Sequence, residues 1–257
     1  MTALRAWVTI ALSLALYNVV TAGHVASMED NTAFPKQNWP FSGVFGSFDN
    51  ASVQRGLQVY LEVCANCHSL EYVAYRNLSE IGYGDEQIKA IAEQYEVEDG
   101  PDNEGAMFTR AARPSDYFVS PYANEKEASF MNNGAIPPDL SLLYKARPGG
   151  ADYIYAILTG YGESHEHKVP DGLYFNTYFP GAAIAMPQPL FGDDIEYQDG
   201  TEASMEQEAR DVTSFLAWSA EPNLASRKRI GVKVILFLLA LTALLYASKR
   251  QIWGDIH

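Results

Sequence analysis

A chain of 257 residues, 47% of them hydrophobic, suits one globular domain of roughly 200 residues plus terminal segments, enough to enclose a cofactor in a packed core. Its 32 acidic residues against 18 basic ones give a formal net charge of -14, which argues against nucleic acid and against an anionic membrane surface as partners. A basic protein is the expected visitor. At the amino end, residues 1–22 carry Arg5, an apolar run from Trp7 to Tyr17, and the small-residue pattern Val20-Thr21-Ala22. They read as a secretory signal for bacterial export. The run is short for an uncleaved anchor, and a mitochondrial transit peptide would carry more Arg and Ser.

Residues 23–226 are then the expected periplasmic domain. Asn31 to Asp49 is rich in Pro, Gly and aromatics without a period, and predicts an irregular segment laid over apolar surface. Asp49-Asn50-Ala51-Ser52 offers caps for a helix running to about Val63, with Val53, Leu57, Tyr60 and Leu61 at helical spacing. Gly56 is a poor helix residue and marks close approach of another helix. The candidate partner is Met205 to Ala220, which places Ala209, Val212, Phe215, Leu216 and Ser219 on one face.

The first helix delivers Val63-Cys64-Ala65-Asn66-Cys67-His68-Ser69, which contains the only two cysteines of the chain. Cys-x-x-Cys followed directly by His is the attachment signature of covalent haem. Two thiols add to the vinyl groups on one edge of the porphyrin, and the next residue places an imidazole under the iron. A zinc site would need two more ligands near by, and a thioredoxin-like dithiol would not require His68 and belongs at a helix start in a βαβ unit. One haem c bound through Cys64 and Cys67, with His68 as proximal ligand, is the expectation.

From Glu62 to Glu104 there are eleven acids against Arg76 and Lys89, and from Asp193 to Asp211 eight acids against Arg210. Such runs are solvated faces or docking surfaces for a basic partner. Arg110 to Asp139 is punctuated by Arg113-Pro114, Ser120-Pro121 and Asn132-Asn133-Gly134, and predicts a long ordered loop. A short helix is expected from Asp139, stopped by Arg147-Pro148-Gly149-Gly150, and another over Asp152 to Gly160. Asp171 to Pro187 reads as loop.

The iron's sixth position could be filled by Met28, Met107, Met131, Met186 or Met205, most methionines being core filler. Met186 stands out because Ile184-Ala185-Met186-Pro187-Gln188-Pro189-Leu190 is a rigid, non-helical segment. His165 and His167, in a polar loop with Glu163 and Glu166, are the rivals. A thioether in place of a second imidazole raises the reduction potential.

Ile230 to Ser248 holds nineteen residues with Lys233 the only charge, about 28 Å as a helix, close to the hydrocarbon thickness of a bilayer. Residues 227–250 are the expected anchor and 251–257 a short cytoplasmic tail. Arg227, Lys228, Arg229 and Lys233 on its amino side, against Lys249 and Arg250, point the positive-inside rule the wrong way. The exported amino terminus decides the orientation, because large domains translocate largely regardless of charge.

Arg55-Gly56-Leu57-Gln58-Val59-Tyr60 leading into the haem motif, Gly134-Ala135-Ile136-Pro137-Pro138-Asp139-Leu140-Ser141, Ile184-Ala185-Met186-Pro187, Ala220-Glu221-Pro222 and the terminal anchor together resemble the cytochrome c1 family, from Trp39 onward. The resemblance implies a mainly α, cytochrome c-like haem domain with crossed terminal helices, long irregular loops and one C-terminal transmembrane helix. It implies Met186 as axial ligand, Arg147 and Tyr153 where the family contacts haem propionates, and Pro137 and Pro138 lining the haem pocket. The extra disulfide of some bacterial members has no cysteines here to form it.

The function implied is electron transport in a respiratory or photosynthetic chain. One electron passes from a Rieske iron-sulfur subunit to this haem and on to a soluble basic c-type cytochrome, in a complex with cytochrome b. The expected location is the bacterial inner membrane, single-pass, with the haem domain in the periplasm. Nothing in the sequence suggests bond-making chemistry of its own. The alternatives are a membrane-anchored cytochrome c serving a terminal oxidase or another dehydrogenase, and a haem-based ligand sensor.

Overall fold

The structure is a computed structural model that describes residues 34–163, 169–192 and 195–254. The expected signal at 1–22, Met28, and the rival ligands His165 and His167 lie outside the described residues. The described chain is mainly helical, with two small antiparallel sheets and one long apolar helix at its end.

Helix α1 (Asn50–Glu62) starts where Asp49 accepts a hydrogen bond from the Ala51 amide, 3.2 Å, satisfying one of the amides left unpaired at a helix start. It runs into a 3₁₀ turn over Cys64–Asn66. A 3₁₀ segment at Tyr75–Ile81 and helix α2 (Asp85–Ala92) follow. Strand β1 (Glu96–Asp99) pairs antiparallel with β2 (Phe108–Ala111), and Arg110 of β2 is held by Asp99 and Asp116. Helix α3 (Glu125–Met131) is capped by Asn124, and α4 (Leu143–Ala146) and α5 (Ala151–Thr159) come next. Strands β3 (Tyr174–Phe175) and β4 (Ala183–Ile184) form a minimal hairpin before helix α6 (Met205–Ala220) and the terminal helix α7 (Leu224–Trp253).

Two stretches read as loop therefore contain elements. The expected loop from Arg110 to Asp139 holds α3 and the end of β2, and that from Asp171 to Pro187 holds β3 and β4. Elements of two to seven residues span too few periods to register in a hydrophobic pattern.

The core is organised by the crossing of α1 and α6. Gly56 makes it possible: a Cβ there would stand 2.0 Å from the Asp211 carbonyl oxygen and 2.8 Å from Phe215 Cβ. Around this contact Val53, Leu57, Tyr60, Val212 and Phe215 are all buried, and the Tyr60 and Phe215 rings pack 5.6 Å apart. Burying the Asp211 carboxylate is costly unless donors surround it. Arg55 Nε (2.8 Å), Ser52 Oγ (2.6 Å) and Gln207 Nε2 (2.9 Å) supply them, and Arg55 also reaches Asp199 at 2.8 Å. The Asp211 carboxylate in turn raises the Arg55 pKa further.

The acidic run from Asp193 to Asp211 is thus not one solvated face. Asp211 and Glu208 are buried, and Asp199 is engaged by Arg55. In the other run Glu71, Glu80, Asp85, Glu86, Glu93, Glu96, Glu98, Asp102 and Glu104 are exposed.

The irregular amino-terminal segment covers the core as expected. Trp39 and Phe41 are buried with rings stacked at 5.5 Å, and Phe41 packs on Phe48 at 5.0 Å. Asp152, at the start of α5, ties the segment down by accepting from Trp39 Nε1 (2.8 Å), the Gln37 amide (3.0 Å) and Lys36 Nζ (3.1 Å). Burial alone would push the Asp152 carboxyl up, but these donors together hold it below the usual carboxylate range. Helix α7 is 30 residues long, about 45 Å, with Leu224 as its one buried residue among those described.

Candidate functional site

The 3₁₀ turn that ends α1 sets out the attachment motif. The Cys67 and His68 amides both donate to the Cys64 carbonyl, at 3.1 and 2.9 Å, so both cysteines and the histidine are fixed within one tight turn. Both cysteines are free and half-buried. Burial, with a smaller contribution from Cys67, pushes the Cys64 thiol up to about 12. A neutral thiol follows, the opposite of the thiolate that a redox dithiol uses.

His68 is oriented from two sides. The hydroxyl of Tyr60 donates to its carbonyl at 3.1 Å, and its Nδ1 lies 2.8 Å from the carbonyl oxygen of Pro138. A carbonyl can only accept, so Nδ1 carries the proton and Nε2 keeps a free lone pair, the arrangement of a metal-binding imidazole held by its other nitrogen. Burial lowers the His68 pKa, the Pro138 contact opposing it in part, and the ring is neutral.

Pro138 is itself held by its neighbour. Asp139 accepts from Ser69 Oγ (2.9 Å), the Glu71 amide (2.8 Å) and the Ser141 amide (2.9 Å), while the Leu140 amide donates to the Ser69 carbonyl at 3.0 Å. These bonds fasten the Pro-Pro-Asp-Leu-Ser stretch to the residues just after His68. Tyr60, Ser69, Asp139 and Ser141 lie in stretches already named from the sequence, but the sequence alone assigns none of them this positioning role. The signal available was the Asp-x-Ser pattern after two prolines, which turns a carboxylate back onto nearby amides.

Met186 arrives by a different route. The hairpin of β3 and β4 ends two residues before it, and the hydroxyl of Tyr161 donates to the Met186 carbonyl at 3.0 Å. Asn176, fully buried, anchors the hairpin by donating to the Ile157 carbonyl at 2.7 Å. The Met186 side chain is partly buried against the same hydrophobic cluster that Cys64, Ala65 and Tyr153 border. Met107 and Met131 are exposed, and Met205 is partly buried at the start of α6.

Tyr153 packs at the edge of this core with its ring 5.3 Å from Phe34. Arg147 is exposed; its guanidinium reaches the Ala146 carbonyl at 3.5 Å and pairs with no carboxylate among the described residues. Ile136, half exposed, stands two residues before Pro138. The His68 imidazole with a free Nε2, the Cys64 and Cys67 thiols in the same turn, the partly buried Met186 thioether and the exposed Arg147 are donors of the kinds a haem c takes. None of these residues lines either of two surface hollows, one by Trp39 and Asp152 and one by Glu96 and Arg110.

Residues 39–256 match the family model described as the Cytochrome C1 family. The chain belongs to the cytochrome c1 family. It is 48% identical over 251 residues to a protein named Cytochrome c1 from Rhodospirillum rubrum, covering 91% of this chain and 92% of that one. It is 46% identical over 239 residues to the Cytochrome b-c1 complex catalytic subunit, mitochondrial, of Candida albicans, covering 92% of this chain and 83% of that one. A third relative, named Cytochrome b/c1, from Bradyrhizobium diazoefficiens, is 45% identical over 246 residues, which are 87% of this chain and 36% of that longer protein. Membership of the cytochrome c1 family implies haem c and electron transport.

Proposed function

We propose that this chain is the haem subunit of a cytochrome bc1 complex, taking one electron from a Rieske iron-sulfur protein and passing it to a soluble basic c-type cytochrome. The observation that carries the reading is the 2.8 Å contact between His68 Nδ1 and the Pro138 carbonyl, which leaves Nε2 free in the same turn as the free cysteines Cys64 and Cys67. Two relatives' names point to the complex: one is called its catalytic subunit, and in the other b and c1 are named together.

The haem c, when bound, supplies the one-electron couple. The residues of this chain do the rest. Cys64 and Cys67 would hold the group covalently, and His68 Nε2 and the Met186 thioether would be the ligands to its iron. Pro138 fixes the imidazole's tautomer and plane, and Arg147 and Tyr153 would meet the propionates. Tyr161 holds the Met186 backbone, and a firmly held sixth ligand favours electron relay over a ligand sensor, which needs an open or weakly held position. Helix α7 anchors the chain in the bacterial inner membrane through residues 227–250, with the haem domain of 23–226 in the periplasm.

The exposed run around β1 is the docking face. Changing Glu96 and Glu98 to lysine, with Asp99 left to its bond with Arg110, should slow reduction of a basic c-type cytochrome severalfold at low ionic strength. The difference should close as salt shortens the Debye length from about 30 Å to about 8 Å. Stopped-flow rates across a salt series check this; rates indifferent to both charge and salt would remove the docking face.

Tyr161→Phe removes the hydroxyl that holds Met186. A neutral hydrogen bond contributes about 1 kcal/mol, so the haem potential should fall by on the order of tens of millivolts while the domain stays folded. An optical redox titration reads the shift, and an unchanged potential would mean that the Met186 carbonyl contact does not position the ligand.

A further inference from the structure

We infer that the turn between Trp39 and Gly46 is a second membrane contact, with Val44 and Phe45 entering the headgroup layer beside the anchor and a basic collar on α7 taking anionic headgroups. The inference rests on the reading of α7 as the membrane anchor.

The turn has a buried base and an apolar tip. Trp39 and Phe41 are 5% and 3% exposed, whereas Val44 and Phe45 are 64% and 86% exposed. The loop between is tightly closed. The Ser42 amide donates to the Trp39 carbonyl (3.0 Å), the Ser47 amide to the Pro40 carbonyl (3.2 Å), and Gly43 has a φ of +70°. A Cβ at Gly46 would stand 2.0 Å from the Ser42 carbonyl oxygen, so only glycine fits. A rigid turn that offers two large apolar side chains to water at its tip needs something to cover them.

Its position says what. Lys228, in the first turns of α7, donates from Nζ to the Phe41 carbonyl at 2.7 Å and lies 3.5 Å from the Gly46 carbonyl. The turn is therefore moored on the helix at Lys228, and Val234, where the uncharged apolar stretch begins, lies only about 9 Å further along the axis. That is about the thickness of one headgroup layer. Ile230 and Val234 are themselves exposed at this level.

Charge agrees. The chain carries a net -14, yet four of its 18 cations, Arg227, Lys228, Arg229 and Lys233, fall within seven residues around this neck. Arg227 is engaged by Glu221, while Arg229 and Lys233 are exposed. A local basic collar on an acidic protein, next to an exposed aromatic and opposite to the positive-inside pattern, suits an anionic lipid surface on the outer face.

The test uses the full, haem-loaded chain in vesicles of phosphatidylcholine with or without phosphatidylglycerol. With Cys64 and Cys67 consumed by haem attachment, a nitroxide can be placed singly through Val44→Cys, with Leu239→Cys in mid-span and Gln94→Cys on the head for reference. The label at 44 should be shielded severalfold from a water-soluble nickel chelate relative to that at 94, and more so with phosphatidylglycerol. Adding Phe45→Asp should return it towards full exposure, with the haem spectrum unchanged.

If the label at 44 is as exposed as that at 94 while the label at 239 lies in lipid, the membrane contact is overturned and the anchor stands. If the label at 239 is also water-exposed, the anchor reading itself fails, and the contact with it. Shielding that appears only in the assembled complex makes the turn a subunit interface, and equal shielding in both lipids removes the basic collar.

Discussion

Replacing Met186 with leucine is expected to lower the midpoint potential of the haem by roughly a few hundred millivolts, within the span that axial ligands control. The fold should survive. Met186 is only partly buried, and a volume-conserving Met-to-Leu change costs under about 1.5 kcal/mol. What changes is the donor. A thioether supports the reduced iron and leucine offers nothing, so the variant should lose the six-coordinate low-spin spectrum and bind carbon monoxide. An optical redox titration of membranes, wild type against variant, measures both. An unchanged spectrum and potential would place the sixth ligand elsewhere, with His165 and His167 the first candidates.

Gly56→Ala should strongly destabilise the domain. The added carbon would stand 2.0 Å from the Asp211 carbonyl oxygen, which is helix backbone and cannot swing aside. To relieve the clash α1 and α6 must separate, which stretches the bonds from Arg55 and Ser52 to the buried Asp211. Overpacking costs typically 1–3 kcal/mol, and weakening the partners of a buried charge adds to it. A loss of about 3 kcal/mol or more is expected, lowering the melting temperature by roughly 6–12 °C for a domain of this size. Gly84→Ala is the control: its Cβ would meet only the Gln87 side chain, at 3.7 Å. Thermal unfolding followed by circular dichroism should separate the two; equal melting temperatures would show that the crossing can relax.

Much of this architecture is written in residues whose patterns are local. Val53, Leu57 and Tyr60 at helical spacing mark α1, and the face of Ala209, Val212, Phe215 and Leu216 marks α6. The lone glycine between Arg55 and Leu57 identifies where they meet. The attachment motif is equally local, because the chemistry fixes the spacing of Cys64, Cys67 and His68.

What escaped the sequence is long-range or short-lived along the chain. Asp139 organises the residues after His68 from about 70 positions away, and no periodicity links a carboxylate to amides at that distance. Strands of two residues and a seven-residue α3 leave no repeat to detect. The two acidic runs look alike in composition, yet one lies exposed and the other supplies the buried partner of Arg55. Only the fold distinguishes a charge that faces water from one enclosed by donors.

The crossing at Gly56 also orders events in time. Arg55 and Asp211 are 156 residues apart, and the haem motif hangs from α1, the earlier of the two helices that cross. The glycine face of that helix has nothing to close against until α6 has emerged, and α6 ends only a few residues before α7 begins. Contacts of such sequence separation are slow to form, since a long loop must close before they contribute. The attachment turn is thus presented by an unclamped helix for most of the chain's production, and the domain shuts around it only as the final helix is reached. The helix that carries the motif is therefore least constrained early and is fixed only when α6 packs against Gly56.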